Sequence, residues 1–284
     1  MFALPIGPRV SALSGGSQPL DKVYLSSRDR AKLRRALESE VASLKRAQVS
    51  RNVVHLEGCF EDDASVYIVT EFCDGIDLAS YVKEHGPLPE SQAAAIIHEC
   101  LEVLAVCHDK HILHGDIKPD NFMVRNAAAA AFVPASGAPQ EDDRQPPHEQ
   151  PAPASDQATA AATATQVVPP GRILHEPRGT PAYTAPEVYT RKYNKMADMW
   201  SLGVTCYYLL TGTYPYWHDM EAQPPREVMK TIIRQPFHLQ DDARLAHVSP
   251  ECRDFLDRLL QHNLSRRLTA HAALNHAWVS QTLP

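Results

Sequence analysis

Hydrophobic residues recur every three to four positions near the start of the chain, between residues 28 and 47, and charged residues lie between them. The apolar positions are Leu33, Leu37, Val41 and Leu44. This spacing predicts an amphipathic helix. Two short apolar runs follow, Val53 to Phe60 and Ser65 to Phe72, on either side of an acidic turn. They predict a pair of antiparallel strands.

Helical patterns dominate the rest of the chain. Residues 89 to 108 are alanine-rich with helical character, and the strongly apolar run from Met196 to Leu210 predicts a buried helix. Ser249 followed by Pro250 is typical of an N-cap and the first residue of a helix, which we expect to continue to Leu260. Strands with one helix come first, and mostly helices follow. This order predicts an α+β fold with two lobes.

The pattern is interrupted once, in the middle of the chain. From Ala127 to Pro170 about half of the residues are Ala or Pro, and almost none are large and apolar. Such a segment cannot bury enough surface to offset its chain entropy. We therefore expect a disordered Ala/Pro-rich insertion at residues 127–171.

Composition and charge narrow the classes of function. The 284 residues are 44% hydrophobic and 22% charged, which is ordinary for a globular protein, and the net charge of -6 argues against nucleic acid or anionic membrane as a partner. No apolar run approaches the roughly 20 residues that span a bilayer, and the stretch before Pro19 makes a poor signal peptide. Six scattered cysteines without a Cys-x-x-Cys pair indicate reduced thiols. We expect a monomeric, cytoplasmic protein that binds neither nucleic acid nor membrane.

Candidate chemistry is concentrated in residues 112 to 124, where Asp116, Lys118 and Asn121 lie between apolar runs. An Asp can orient an attacking hydroxyl and accept its proton. A Lys can neutralise charge on a moving phosphate, and an Asn can hold a magnesium ion. The three residue types at this spacing indicate phosphoryl transfer.

This stretch closely resembles the catalytic loop of eukaryotic protein kinases, with Gly115 where the family usually has Arg. Lys118 is the residue found in the serine/threonine members. Residues 179 to 187 (GTPAYTAPE) resemble the end of the kinase activation segment. The resemblance implies that Thr180 forms hydrogen bonds close to Asp116 and Lys118 and belongs to the catalytic residues.

Two further matches concern the way in which this segment and the loop are held. The resemblance implies a buried ion pair between Glu187 and Arg267, which would fix how the segment docks. Residues 198 to 204 resemble the start of the central buried helix of the family. Asp198 would accept hydrogen bonds from backbone N–H groups of the catalytic loop, and we interpret it as structural rather than catalytic.

Residues 67 to 78 resemble the fifth strand and the hinge of a kinase, with Thr70 at the gatekeeper position. The resemblance implies ATP and Mg²⁺ as cofactors. It implies that backbone groups of Glu71 and Cys73 bond the edge of the adenine ring. It further implies that the Asp77 carboxylate binds the ribose hydroxyls and that the Met123 side chain forms the adenine floor. The alternative is an ordinary strand that ends at an acidic turn.

The ATP-binding lysine is less clearly marked. Lys22 lies eighteen residues before Glu40, which is close to the family spacing between that lysine and its glutamate partner. However, Leu20 falls where the family has a small residue that covers adenine. A surface lysine is therefore an equal alternative.

Three departures from the family bear on activity. No Gly-x-Gly-x-x-Gly phosphate loop precedes Lys22. No Asp-Phe-Gly occurs in the chain, and the family interval from Asp116 leads to residues 134–137, inside the low-complexity segment. Because that Asp is the main magnesium ligand, its loss should remove most of the rate. Gly115 lacks the guanidinium fork that clamps a phosphorylated activation loop, so we do not expect switching by such phosphorylation.

The first hypothesis is a serine/threonine protein kinase that phosphorylates a protein substrate, with impaired activity. The motif spacing and residues 268–278 look most like the calcium/calmodulin-dependent kinase group. The resemblance covers about residues 22 to 126 and 172 to 280. It implies a shortened β-rich N-terminal lobe at residues 1–73 and a helical C-terminal lobe at residues 74–284.

Two alternatives stay open. One is a pseudokinase, which keeps the fold as a binding scaffold for protein partners without phosphoryl transfer. The retention of Asp116, Lys118 and Asn121 speaks against it, because a scaffold has no chemical need for them. The other is that the sequence is an imperfect translation, which lacks coding segments near Met1 and around the Ala/Pro-rich stretch.

Overall fold

The structure, a computed structural model, describes most of the chain from residue 38 onward. The residues described are 2–3, 38, 41–43, 45–48, 50, 52–61, 66–73, 75–125, 166–176, 179–217 and 223–281. Lys22 and Glu40 lie outside the described residues, and so does nearly all of the Ala/Pro-rich segment.

Helices make up most of the second half of the described chain. They are α1 (Leu78–His85), α2 (Glu90–Asp109), α3 (Pro186–Tyr189), α4 (Met196–Thr211), α5 (Pro225–Arg234), α6 (Pro250–Leu259), α7 (Ala270–Leu274) and α8 (Ala277–Ser280). The bounds of α2, α4 and α6 are within one residue of the predicted helices. In the helix predicted for residues 28 to 47, the described residues 41–43 and 45–47 are helical.

The strands are short and form three small sheets. They are β1 (Phe2–Ala3), β2 (Leu56–Glu61), β3 (Val66–Thr70), β4 (Gly75–Asp77), β5 (Ile112–Leu113), β6 (Met123–Arg125) and β7 (Gln166–Val167). The predicted antiparallel pair is β2 with β3, in which Phe60 lies opposite Tyr67. β6 lies between β1 and β4 and is antiparallel to both, and β5 pairs with β7.

The core is organised around α4, which is buried on most of its surface, as its continuous apolar run predicts. One cluster of buried residues joins Tyr207 of α4 to Phe255 of α6 and to the apolar face of α2. A second cluster surrounds Trp200 and contains Tyr183, Leu174 and other residues of the loops that precede α4. The second cluster places these loops against the same helix that supports the catalytic loop.

The carboxylate of Glu90, at the start of α2, connects three distant parts of the chain. It accepts hydrogen bonds from the backbone N–H of Ser249 at 2.8 Å, from the Ser249 hydroxyl and from the indole Nε1 of Trp278 at 2.8 Å. The Ser249 hydroxyl oxygen in turn accepts from the N–H of Cys252 at 3.1 Å and caps α6, as the Ser-Pro pair predicts.

One predicted boundary is wrong. The disordered insertion was expected to reach residue 171, but β7 begins at Gln166, and the N–H of Val168 donates to the carbonyl of His111 at 2.6 Å. Val168 is buried. The run Gln-Val-Val is too short to stand out from the neighbouring Ala and Pro, but it is apolar enough to pair with β5. The predicted α+β class is confirmed.

The limit between the two lobes at residues 73 and 74 stays a prediction. None of the helices in the described ranges is long and apolar enough to cross a membrane. All six cysteines are free thiols.

Candidate active site

The catalytic loop connects β5 to β6 and ends in a 3-10 turn at Pro119–Asn121. Pro119 fixes the backbone at the start of the turn, and the N–H of Phe122 closes it by donating to the Pro119 carbonyl at 3.1 Å. Ile117, between Asp116 and Lys118, and Phe122, directly after Asn121, are both buried. The apolar pattern of the loop therefore anchors it while Asp116 and Lys118 stay partly exposed.

Asp116, Lys118 and Thr180 form a closed triangle of contacts. The Thr180 hydroxyl donates to Oδ1 of Asp116 at 2.8 Å, and the Thr180 N–H donates to the same oxygen at 3.2 Å. The Lys118 Nζ donates to the Thr180 hydroxyl oxygen at 2.8 Å and lies 3.4 Å from Oδ2 of Asp116. These are the contacts that the sequence predicts for Thr180, and they are confirmed.

Asn121 supports Asp116 from inside the loop. Its Nδ2 donates to the backbone carbonyl of Asp116 at 2.7 Å and to Oδ2 of the same residue at 3.1 Å. The side chain is nearly buried. Because both bonds use the nitrogen, the amide oxygen is the atom of Asn121 that suits a hard cation.

The charges around Asp116 keep it ionised. Burial alone would raise the pKa of Asp116, but the Lys118 ammonium and the hydrogen bonds from Thr180 and Asn121 outweigh it, so the pKa lies below its usual value. The carboxylate is therefore fully charged at neutral pH and can accept a hydrogen bond from a hydroxyl.

Asp198, at the start of α4, holds the backbone of the catalytic loop by hydrogen bonds to two of its N–H groups. Its carboxylate accepts from the N–H of His114 at 3.0 Å and from the N–H of Gly115 at 2.8 Å, and Nε2 of His108 lies 3.0 Å away. Asp198 is fully buried, which would raise its pKa, but these partners lower it below the usual value. The predicted structural contact of Asp198 is confirmed.

Gly115 bends the loop at this point. Its φ of 77° is in the left-handed region, where a glycine has no steric penalty. The following segment comes close to it, because a Cβ built on Gly179 would lie 2.7 Å from the Gly115 carbonyl oxygen. Gly179 itself has a φ of 95°. Two glycines therefore allow the segment with Thr180 to approach the loop with Asp116.

The predicted ion pair between Glu187 and Arg267 is present and bidentate. Nη1 of Arg267 lies 2.5 Å from Oε1 of Glu187, and Nη2 lies 3.0 Å from Oε2. The guanidinium also donates to the carbonyl oxygens of Met196 and Gln261 and lies over the Trp200 ring, 5.2 Å from its centroid. Its charge is fully enclosed, so the pair locks the short helix α3 in place.

Some groups of the predicted hinge residues form hydrogen bonds within the protein. The N–H of Glu71 donates to the His55 carbonyl at 2.8 Å. The Asp77 carboxylate caps α1 by accepting from the N–H of Ser80 at 2.9 Å and from its hydroxyl at 3.1 Å. Sequence reasoning missed this cap, although an Asp before a helix is a common cap signal.

Met123 and Cys73 are half-buried and pack against the larger core cluster. Met123 lies in β6, opposite Asp77 of β4 and Ala3 of β1. An adenine floor at Met123 is compatible with this position next to the hinge. The roles of Glu71, Cys73, Asp77 and Met123 toward ATP stay predictions.

The described residues provide only part of a site for ATP and Mg²⁺. They contain no group of three or more His, Cys, Asp or Glu that could hold a metal ion. Asn121 contributes one amide oxygen, and the sequence has no Asp-Phe-Gly to supply the second ligand. The described residues therefore do not by themselves make a complete magnesium site. Lys22 and Glu40, predicted for the phosphates, cannot be placed because they lie outside the described residues.

A family model of the protein kinase domain matches residues 20–279 of this chain. The chain belongs to the protein kinase family. The match includes the predicted hinge region and the catalytic loop, so the resemblance that the catalytic loop carries extends over residues 20–279.

Plant kinases are among the similar curated proteins. Calcium-dependent protein kinase 7 of Arabidopsis thaliana is 30% identical over 267 residues, which are 91% of this chain and 44% of that protein. CDPK-related kinase 1 of Arabidopsis thaliana is 34% identical and covers 84% of this chain and 37% of its own length. The CDPK-related protein kinase of Daucus carota is 32% identical, with 86% and 36% coverage. The chain thus spans less than half of these relatives, and they agree with the predicted serine/threonine type.

Two contacts that support the kinase site are not predicted by the sequence. His108 contacts Asp198 across 90 residues of sequence, and a histidine near the end of a long helix has no local mark of such a role. Tyr193 fixes the backbone of residues 174 to 176, and a bond to a backbone carbonyl leaves no signature in the sequence.

Proposed function

We propose that this kinase domain transfers the γ-phosphate of ATP to a serine or threonine hydroxyl of a protein substrate, at a reduced rate. The proposal is carried by the triangle of Asp116, Lys118 and Thr180. Asp116 orients the acceptor hydroxyl and takes its proton, and Lys118 neutralises charge on the transferring group. Thr180 holds the two side chains in register.

The electrostatics support a base role for Asp116. A carboxylate with a depressed pKa is a weak base, but it is always in the form that accepts a hydrogen bond. Because Lys118 is only 3.4 Å from the carboxylate, the pair presents opposite charges side by side. This arrangement suits a neutral hydroxyl and an anionic phosphate that meet at one point.

The reduced rate follows from the incomplete cation site. When bound, magnesium would neutralise the charge that develops on the transferring phosphate, so a missing main ligand would remove a large part of this stabilisation. Asn121 remains as the predicted ligand, and its nitrogen already contacts Asp116. We expect weak dependence of ATP binding on magnesium.

The rival function is a pseudokinase that binds protein partners without transfer. It is favoured by the absence of Asp-Phe-Gly and of a glycine-rich loop in the sequence. Against it stands the full set of contacts around Asp116, which a scaffold does not require. The two functions differ in one measurable respect, the appearance of phosphate on a substrate.

The deciding experiment measures transfer of labelled γ-phosphate to a serine/threonine peptide mixture, with and without Mg²⁺. Transfer above background that Asp116→Asn abolishes supports the kinase. Asp241→Asn removes an exposed carboxylate in the 3-10 turn Leu239–Asp241 and is the control, which should leave transfer unchanged. No transfer from a protein that melts cooperatively, and is therefore folded, supports the pseudokinase.

Sequencing of the transcript across residues 1 to 22 and 124 to 172 tests the third alternative. An in-frame Asp-Phe-Gly there would show that the prediction of impaired activity is wrong and that the enzyme has the complete set of motifs. The monomeric state and the cytoplasmic location stay predictions.

A further inference from the structure

The segment that leads to Thr180 has no acceptor for a regulatory phosphate. From Gln166 to Gly179 the sequence reads QVVPPGRILHEPRG and contains no serine, threonine or tyrosine. The first hydroxyl after it is that of Thr180, which already contacts Asp116. Gly115 also offers no guanidinium to hold a phosphate. The segment therefore needs another means of being held.

The first attachment of the segment is a strand pair. Ile112 lies opposite Val167 and Leu113 opposite Gln166, in the two strands β5 and β7. The Val168 N–H then donates to the His111 carbonyl at 2.6 Å. This pairing ties the beginning of the segment to the strand that precedes the catalytic loop.

The second attachment lies at the other end, on the loop that follows α3. Leu174 and Tyr193 exchange both backbone hydrogen bonds, at 2.9 Å and 3.3 Å. The Tyr193 hydroxyl donates to the Glu176 carbonyl at 2.5 Å. Nδ1 of His175 lies 2.6 Å from the carbonyl of Arg191 and must carry the proton, because a carbonyl only accepts.

The loop that follows α3 is held rigidly by its packing in the core. Tyr193 is 3% exposed and Leu174 is 8% exposed, and both side chains belong to the cluster around Trp200 of α4. Arg191 has a φ of 60°, a left-handed conformation that a non-glycine residue keeps only when its surroundings impose it. Asn194 caps the next turn by accepting from the Met196 N–H at 2.9 Å.

We propose that Tyr193 is a positioning residue that latches residues 174–176 to the start of α4 and so presents Thr180 to Asp116 without any phosphorylation. Glu176, which receives the Tyr193 hydroxyl, lies four residues before Thr180. In kinases with an Arg at the position of Gly115, that Arg binds a phosphate on the activation loop. Here neutral hydrogen bonds, which need no phosphorylation, hold the segment instead. Its effect on transfer rests on the proposed function, whereas its effect on the backbone does not.

Hydrogen exchange of the full-length protein without ATP tests the latch directly. Tyr193→Phe removes only the hydroxyl bond, and we expect the amides of residues 172–176 to exchange about five- to tenfold faster than in the wild type. Tyr216→Phe is the matched control, because it removes an equivalent bond, from the Tyr216 hydroxyl to the Gln235 carbonyl at 2.9 Å, elsewhere in the fold. It should leave these amides unchanged. Wild-type amides that exchange at unprotected rates, or no response to Tyr193→Phe, would overturn the latch.

The role in positioning is tested by kinetics at matched stability. Tyr193→Phe should lower kcat about three- to tenfold with little change in the KM for ATP, while Tyr216→Phe changes the melting temperature similarly but not kcat. His175→Asn keeps a donor near the place of Nδ1 and should retain more of kcat than His175→Ala.

Phosphatase treatment should leave wild-type kcat unchanged, and a loss of rate would contradict the latch. If the wild type transfers no phosphate but its 172–176 amides respond as expected, the proposed function fails and the latch stands.

Discussion

The guanidinium of Arg267 and the carboxylate of Glu187 form a bidentate ion pair across 80 residues of sequence. The Arg267 side chain is completely buried and that of Glu187 is 10% exposed. Burial of two charges is costly, and the attraction between them offsets this cost only while both are present. The pair therefore acts as a fastener between α3 and the loop before α7.

Removal of one partner of this pair should be more harmful than removal of both. We expect Arg267→Met and Glu187→Met each to lower the free energy of unfolding by about 3–5 kcal/mol, because each leaves one buried charge without its partner. The double variant Glu187→Met/Arg267→Met should lose less stability than either single variant. Urea unfolding of the four proteins gives the coupling energy. Additive losses would show that the two residues act independently.

Gly179 should tolerate no side chain. Gly179→Ala places a Cβ 2.7 Å from the Gly115 carbonyl oxygen and keeps a φ of 95°. Gly86→Ala is the control, since Gly86 has a φ of 83° with nothing within 4 Å of the added Cβ. A left-handed conformation alone costs about 1–3 kcal/mol, which both variants should show in urea unfolding. Only Gly179→Ala should also reduce phosphate transfer, by roughly tenfold or more, because Thr180 moves away from Asp116.

Acid should release the catalytic loop from α4. The folded-state pKa of Asp198 is depressed, so its contribution is fully present above its unfolded pKa of about 4 and is lost as the pH falls through the lower folded value. We expect Asp198→Asn to lower the free energy of unfolding by about 2–4 kcal/mol at pH 7. The difference from the wild type should shrink below pH 4. Urea unfolding from pH 7 to pH 3 measures it, and Asp241→Asn provides an exposed control. A difference that does not change with pH would contradict a role for the ionised carboxylate.

Asp77 can be separated into a capping role and a ribose role. Asp77→Ala should lower the free energy of unfolding by about 1 kcal/mol, because the N–H of Ser80 loses its partner. Asp77→Ser keeps a capping oxygen and should restore most of this stability. If Asp77 also binds the ribose hydroxyls, the serine variant will show a smaller ATP-induced rise in melting temperature at nearly wild-type stability. An unchanged rise would leave the residue as a cap alone.

Local motifs predict the centre of this site well, because each one combines a chemical group with a fixed short spacing. Asp116 and Asn121 are five residues apart, so the turn at Pro119 is enough to bring them together. The contacts of Thr180, Glu187 and Asp198 were expected only because their segments resemble those of a known family. The pattern of apolar residues predicted the helices around them, since burial on α4 is continuous.

Long-range pairings with no side-chain chemistry could not be predicted. β1 is two residues long and pairs with β6, which lies near the middle of the chain. The bond from Tyr193 to Glu176 uses a backbone carbonyl, which every residue possesses. Nor does the sequence show that His108 contacts Asp198, because the two meet only after α2 and α4 have packed together.

The contacts of the Glu90 carboxylate affect the order in which parts of the protein fold during synthesis. Its partners Ser249 and Trp278 lie 159 and 188 residues later in the chain. During synthesis α2 can form early, but its first turn stays open to solvent until the last helices have left the ribosome, since contacts of such high sequence separation form late. A nascent chain therefore carries its catalytic loop well before the lobe around it is closed, and chaperones would meet the unfinished end of α2 in that interval.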